Sequence, residues 1–454
     1  MATASKLLLL LLCSYHSFIS HAGDTGSLKP EAVCSEAKVA GIPSTGGATV
    51  GLHHRHGPCS PVPSKKVLTL EELLRSDEHR ANYIQRKFSG AANRSGDVQP
   101  SEVTVPTTLG SSLDTLEYVI TVGLGTPAAT QTMMIDTGSD VSWVQCKPCS
   151  NCHSQVDPLF DPSSSSSYSA FPCSSAACAQ LGKDQSNGCS DSQCQYVVHY
   201  GDRSKTTGTY SSDTLTLGSD AVKGFQFGCS HAEAGFDDKT DGLMGLGGGA
   251  QSLVSQTAAT LGDAFSYCLP PSTSSAAGFL TLGAASSAAG GGGSGFVTTG
   301  MHRSSQVPTY YMVRLEGIMV GGKKLSVAPS VFSGGSVMDS GTVVTRLPAA
   351  AYAALSSAFR AAMAKKYRPA PPRSIFDACF DLGGQSKPSS VTPVALVFEG
   401  GAVVNLDSDG IMMDNCLAFA ATGGISIIGN VQLRTFEVLY DIGKSTLGFR
   451  AGAC

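Results

Sequence analysis

One short pattern occurs twice in this chain, and both copies demand the same local structure. The first reads Met133-Met134-Ile135-Asp136-Thr137-Gly138-Ser139 and the second Val337-Met338-Asp339-Ser340-Gly341-Thr342. In each, an apolar run of strand type ends on an aspartate, then come a small hydroxyl residue, a glycine and another hydroxyl. Each copy is followed downstream by two apolar residues and a glycine, Leu243-Met244-Gly245 and Ile427-Ile428-Gly429. The tetrapeptide alone is a common turn, as Asp24-Thr25-Gly26-Ser27 illustrates: no apolar strand precedes it, and Lys29-Pro30 follows. The matched contexts single out Asp136 and Asp339.

The residue types suit one chemistry. Two carboxylates held close cannot both ionise cheaply, so the pair shares a proton over a broad acidic range. One then takes a proton from a bound water while the other protonates or polarises a substrate carbonyl. Gly138 and Gly341 let the backbone come close to the carboxylates. The flanking hydroxyls can hydrogen-bond and fix the carboxylate orientation.

Around the repeat the chain falls into segments. Lys6, the apolar run Leu7–Leu12 and the small-x-small string Ser20-His21-Ala22 have the form of a secretory leader over residues 1–22. That run is too short to cross a bilayer; no later stretch of about 20 apolar residues and no apolar tail is found, so no membrane partner is expected. A chloroplast transit peptide, rich in Arg and Ser without a leucine core, ranks second. Residues 23–106 read as a pro-region. Within it Thr69–Lys87 has helical spacing, with Leu70, Leu73, Leu74, Tyr83 and Ile84 near one face and Thr69 and Glu72 placed as a capping box. Beyond it, alternating runs such as Glu117–Leu124, Gln195–Tyr200 and Tyr210–Leu217 predict strands. The flexible stretch Gly283–Gly295 divides this part into pieces 107–295 and 296–454. One convincing helix, Pro348–Lys366, is expected there, with Pro348 at the first helical position. The predicted fold class is all-β with a helical pro-region.

Charge and cysteines narrow the function. Ten of the 31 Lys/Arg, nine of the 35 Asp/Glu and four histidines (His53, His54, His56, His79) fall in 23–106; setting these and Lys6 aside leaves 20 cations against 26 acids, a net −6 for 107–454. Nucleic-acid binding needs clustered Lys and Arg, and this chain offers pairs such as Lys65-Lys66, so no nucleic-acid partner is expected. Of 15 cysteines, Cys13 leaves with the leader and Cys34 and Cys59 belong to the pro-region. The others are Cys146, Cys149, Cys152, Cys173, Cys178, Cys189, Cys194, Cys229, Cys268, Cys379, Cys416 and Cys454. An even number behind a secretory leader predicts six disulfides in an oxidising compartment, with the pairing open. The spacing Cys146-x2-Cys149-x2-Cys152 would suit a metal in a cytosolic protein; here it reads as a disulfide-tied loop, and no metal or cofactor is expected. Asn93-Arg94-Ser95 is the one N-glycosylation sequon, in the pro-region.

The chain resembles the pepsin-type aspartic proteases, within them the plant branch that includes nepenthesin and the chloroplast nucleoid DNA-binding-protein-like proteases. The strings that carry this are Leu52-His-His-Arg-His-Gly-Pro-Cys-Ser60, Tyr200-Gly-Asp-Arg-Ser-Lys-Thr-Thr-Gly208, Asp339-Ser-Gly-Thr-Val-Val-Thr-Arg-Leu-Pro348 and Ile427-Ile-Gly-Asn-Val431. The resemblance covers nearly the whole chain. It implies a bilobal fold with the cleft between two β-rich lobes, 107–295 and 296–454, one aspartate from each. Tyr200, with Gly201 and Asp202, matches the flap that closes over substrate, and Trp143 matches the indole that bonds this tyrosine; the bland reading is two core aromatics. Thr137 and Ser340 look like the hydroxyls that lock the two loops together, and Ser139 and Thr342 like the outer hydroxyls contacting the carboxylates. The Cys-rich insertion falls between the first aspartate and the flap, and Cys379 and Cys416 are spaced like a second-lobe disulfide. His53, His54, His56 and Cys59 match a pro-region string, which implies a folding or inhibitory role. Arg203 and Lys205 depart from the family pattern: beside the cleft they would favour acidic substrate residues or alter the pH profile, and otherwise they face solvent.

The resemblance implies an aspartic endopeptidase working at acid pH on polypeptide substrates, monomeric, and secreted to the apoplast or vacuole. The alternative is a protease-shaped protein without activity, similar to the plant xylanase inhibitors or seed globulins, whose aspartate motifs are usually damaged; here both are intact.

Overall fold

The computed structural model describes Cys34 and residues 47–62, 69–93, 115–200, 204–236, 239–283, 295–385 and 388–454. From residue 47 the chain is mostly short strands, and alternation of side chains accounts for them. In β1 (Ala48–His54), Ala48, Val50, Leu52 and His54 are buried while the residues between are half-exposed. Then comes α1 (Leu70–Asn93), whose start is the expected capping box: Thr69 Oγ1 accepts from the Glu72 amide at 3.2 Å, and Glu72 Oε2 accepts from the Thr69 amide at 2.9 Å. The helix runs on to Asn93 rather than stopping at Lys87; Arg94 and Ser95 of the sequon lie outside the described residues.

The internal repeat is a repeat of structure. β2 (Tyr118–Leu124) and β3 (Ala129–Asp136) pair antiparallel. β3 ends on Asp136 and pairs in parallel with Gly242–Gly245, which on its other side meets β4 (Trp143–Gln145). In the second copy Ser336–Met338, ending just before Asp339, pairs in parallel with Ser426–Ile428, and Arg346 of Thr345–Pro348 meets Ile427 antiparallel. The apolar-apolar-glycine strings are therefore the strands laid beside the two aspartate strands. Gly242 shows why glycine is needed there: a Cβ on it would run into the Trp143 backbone.

Asp136 ends a strand of a fifteen-stranded sheet, and Asp339 follows a strand of a separate six-stranded sheet, as a mostly β fold of this kind implies. The larger sheet ties together Ala264–Cys268 and Gly278–Leu282 with Val297–Gly300, Glu437–Asp441 and Thr446–Arg450, from the two sides of the glycine-rich stretch. β1 lies inside this sheet, between Gly278–Leu282 and β2, with Ala48 opposite Leu282 and Leu52 opposite Ile120. The residues 23–106 thus contribute a central strand as well as a helix. Sequence patterning passes over it because its buried face is short and ends on His54, and Gly51 and His53 occupy the other face.

Two helices differ from expectation. The second-lobe helix spans Ala349–Met363 with Pro348 as its cap, and Leu253–Leu261 in the first lobe is also helical, its start fixed by Ser252 Oγ accepting from the Ser255 amide. The twelve cysteines form the six expected disulfides: Cys146–Cys229, Cys149–Cys152, Cys173–Cys189, Cys178–Cys194, Cys268–Cys454 and Cys379–Cys416. Among the described residues no helix is long and apolar enough to cross a membrane.

Candidate active site

Both aspartates sit where a buried strand turns into a loop, and each is buried. The two loops are locked to each other by reciprocal bonds: Ser340 N donates to Thr137 Oγ1 at 2.9 Å, and Thr137 N donates to Ser340 Oγ at 3.2 Å. Gly138 N donates to Asp136 Oδ1 at 2.9 Å, and Gly341 N donates to Asp339 Oδ1 at 3.4 Å. Thr342 Oγ1 donates to Asp339 Oδ2 at 2.5 Å, as expected of an outer hydroxyl. Ser139 does not match it: its buried Oγ has no hydrogen-bond partner. The Ser139 carbonyl accepts from Gly247 N at 2.8 Å, and Asp136 Oδ1 is already taken by Gly138 N and by a cation.

That cation is Arg80 of α1. Its Nη2 lies 2.6 Å from Asp136 Oδ1 and 2.6 Å from Asp339 Oδ1, and its Nε lies 2.7 Å from Asp339 Oδ2. One nitrogen therefore touches both carboxylates. The fit is close, since a Cβ on Gly138 would lie 2.6 Å from Arg80 Nη2 and one on Gly341 would strike the guanidinium. Burial by itself would raise the Asp339 carboxyl; the Arg80 charge, with bonds from Arg80, Thr342 and Gly341, outweighs it and holds the group below the ordinary carboxylate value. Sequence reading missed Arg80, although a signal was present: it falls seven residues after Leu73 and four before Ile84, a cation on the apolar face of a foreseen helix.

Trp143 and Tyr200 are joined, Trp143 Nε1 donating to Tyr200 Oη at 2.7 Å. Phe236 packs against both rings, with centroids 5.2 Å from Trp143 and 6.0 Å from Tyr200. Gly201, Asp202 and Arg203 lie outside the described residues, and Lys205 is exposed at the start of the strand Lys205–Leu217.

Family models described as xylanase inhibitor N-terminal and C-terminal match residues 118–284 and 310–451. An aspartyl protease family protein of Arabidopsis thaliana is 40% identical over 450 residues, covering 96% of this chain and 93% of its own. Aspartic proteinase nepenthesin-1 of Nepenthes gracilis is 33% identical, covering 91% of this chain and 95% of its own. This chain belongs to the plant pepsin-like aspartic proteases. Basic 7S globulin from soybean shares the fold, with a TM-score of 0.59 at 20% identity over 73% of this chain and 90% of its own.

In this aspartic protease α1 lies along the second lobe. Leu74 packs among Val343, Val344, Phe376 and Val431, and Ala81 and Ile84 pack against Tyr310, Val337 and Ile427. Asp77, fully buried, accepts from the Val343 amide at 2.6 Å and from Arg346 Nη2 at 2.7 Å, while Glu78 pairs with Arg346 Nη1. β1 brings a second charged cluster. His54 Nε2 lies 3.4 Å from Glu117 Oε1, and Arg434 Nη2 donates to Glu117 Oε2 at 2.9 Å. Burial pushes the imidazoles of His53, His54 and His56 below their ordinary value, His56 to about 4.

Proposed function

We propose that this chain is the precursor of an aspartic endopeptidase, with Asp136 and Asp339 as its catalytic pair and residues 23–106 as an inhibitory pro-segment. The observation that carries the reading is the single Arg80 nitrogen within 2.6 Å of a carboxylate oxygen from each aspartate. Groups close enough to share one nitrogen are close enough to share one water and one proton once the guanidinium has gone.

In the freed cleft a water replaces Arg80 Nη2. The ionised carboxylate takes a proton from that water, whose oxygen attacks the peptide carbonyl carbon, while the protonated carboxyl gives its proton to the carbonyl oxygen. Collapse of the tetrahedral intermediate breaks the C–N bond and returns a proton to the amine. The proton belongs to the pair rather than to either residue. Thr137, Ser340, Gly138, Gly341 and Thr342 hold the carboxylates in place, and Tyr200, braced by Trp143 and Phe236, covers the substrate with Gly201 and Asp202 as the flap.

The disulfides fit an oxidising compartment, so secretion to the apoplast or delivery to the vacuole after loss of residues 1–22 is the accompanying proposal. Release near Val105–Leu113 would remove Asn93 with any glycan it carries and leave a monomeric enzyme of two lobes, 107–295 and 296–454. The test is digestion of an unfolded protein at acid pH, blocked by a pepstatin-like transition-state mimic and abolished in Asp136→Asn. Retained cleavage by Asp136→Asn would end the dyad assignment. Falling pH neutralises carboxylates and charges the pro-segment histidines, so acid is the proposed trigger of its release, and a precursor that stays full-length at low pH would end that part of the reading. The competing reading, an inactive binding protein of the xylanase-inhibitor kind, rests on the matching family models; the intact dyad favours the enzyme.

A further inference from the structure

We propose that Arg346, together with the Val343 amide, forms a carboxylate-binding subsite beside the dyad that selects substrates carrying Asp or Glu one or two positions from the bond cut. The inference rests on the endopeptidase reading and adds the class of substrate.

Three observations converge. The first is the construction of the site. Val343 N and Arg346 Nη2 meet the two different oxygens of the Asp77 carboxylate, at 2.6 and 2.7 Å. A backbone amide and a guanidinium aimed at one carboxylate make a geometry suited to that group and poorly suited to an apolar side chain. The strand carrying Arg346 is held independently of α1, by pairing with Phe419–Thr422 and by Thr345 N donating to Gln432 Oε1 at 2.8 Å. The site therefore stays in place when α1 leaves.

The second is what α1 supplies. Both carboxylates the structure places on Arg346, Asp77 and Glu78, belong to that helix. Arg346 is only 2% exposed, and its Nε has no hydrogen-bond partner. Departure of α1 strips a deeply set cation of both these acids, and such a cation favours whatever anion the cleft next receives.

The third is position. Asp77 and Arg80 are three residues apart on a helix, about 4.5 Å along its axis. Arg80 lies at the dyad, so Asp77 marks a point one or two residues away for an extended peptide advancing about 3.3 Å per residue. Arg346 also follows Asp339 by seven residues, as Trp143 follows Asp136. In one lobe that place braces the flap; in the other it holds a carboxylate. The acidic preference considered for the flap cations is thus better assigned here, since Lys205 is exposed.

The experiment uses full-length precursor, activated at acid pH or by limited proteolysis of its N-terminal segment, and peptide pairs with Glu or Gln at each of the positions flanking the cut. At pH 5.5 the Glu peptide of one pair is expected to show kcat/KM higher by about tenfold or more, the scale of a hydrogen bond to a charged group. The ratio should fall towards one below about pH 4, where the substrate carboxyl takes up its proton. Arg346→Gln should bring the ratio to one at pH 5.5. That variant leaves Asp77 buried beside a neutral partner and can fail to fold, so Asp77→Asn/Arg346→Gln and the wild-type pH dependence supply the same readout. Ratios near one at every position for the wild type, or a ratio that survives loss of the guanidinium, overturn the proposal while leaving the protease intact. Absence of any cleavage that the pepstatin-like mimic blocks overturns the protease reading, and the subsite with it.

Discussion

Arg80 is the point at which α1 meets the proposed catalytic pair, one of its nitrogens touching a carboxylate oxygen of each aspartate. Its bonds to Asp339 draw that carboxyl below its ordinary value, and the sign of the consequence follows. A depressed carboxylate contributes stability above its unfolded value of about 3.8, and the contribution is lost as pH falls through the lower, folded value. Arg80→Gln should therefore loosen α1 more at pH 7 than in acid below about 3.8, where the contribution begins to be lost. The ceiling is about 3–5 kcal/mol, the cost of breaking a buried pair, reduced because the two carboxylates left behind can share a proton. Binding of the pepstatin-like mimic to uncleaved precursor at pH 7 measures this, and equal binding by wild type and variant would refute it. The lock between the loops allows a second prediction. Thr137→Val leaves the Ser340 amide without the oxygen it meets at 2.9 Å, a loss of about 1–3 kcal/mol for a buried donor. Thermal unfolding should show it, and a variant as stable as wild type would mean the lock carries no weight.

β1 and α1 respond to acid in different windows. Facing His54 are Glu117 on the residue preceding β2, Arg434 from the second lobe, the Tyr118 ring at 5.2 Å, and Arg55 and His56 from its own segment. Despite its burial Glu117 is drawn down to about 2 by Arg434 and by its bond to His54, so it stays charged as the pH falls. The histidines are depressed by burial. A released strand therefore takes up protons below about pH 6.5 that the docked strand refuses, and docking weakens from there down to about 4, the value to which burial lowers His56. The Arg80 clamp is a separate step, which yields as acid protonates the aspartate pair it holds. Replacing His54 and His56 by Gln should move the midpoint of β1 release to lower pH while leaving the later step in place, and hydrogen exchange of the β1 amides against pH is the measurement. An unchanged midpoint would remove the histidines from the trigger. How far this was legible differs between the two elements. α1 announced itself through Thr69, Glu72 and an apolar face, whereas β1 is short, carries Gly51, and gains its place from Gly278–Leu282, more than two hundred residues away, which no local pattern contains.

At the scale of the molecule, the dyad and its lock were readable because they lie within the repeated string, and the Trp143–Tyr200 pair was readable only through the family resemblance. Arg80, Arg346 and Phe236 were not, because their roles arise from packing between segments far apart in the chain. The same holds for a second acid pair, away from the cleft, where the Cys-rich insertion meets β3. Asp241 accepts from the amides of Thr132 at 2.6 Å and Asp157 at 3.1 Å, while Asp157 accepts from Thr132 Oγ1 at 2.8 Å. Burial, then the bond to Asp157, pushes the Asp241 carboxyl up to about 8. The folded protein thus keeps a proton that the unfolded chain loses above about 3.8, so stability declines as pH rises from there to about 8 and levels off beyond. Asp157→Asn puts an amide donor where the shared proton sits and should flatten that decline. The comparison is the melting temperature at pH 4 and pH 8 for wild type and variant, each kept with the pepstatin-like mimic so that self-digestion does not enter. If both proteins lose the same number of degrees between the two pH values, the pair is not what ties this fold to acid, and the surplus of acids over cations spread across residues 107–454 must carry the effect instead.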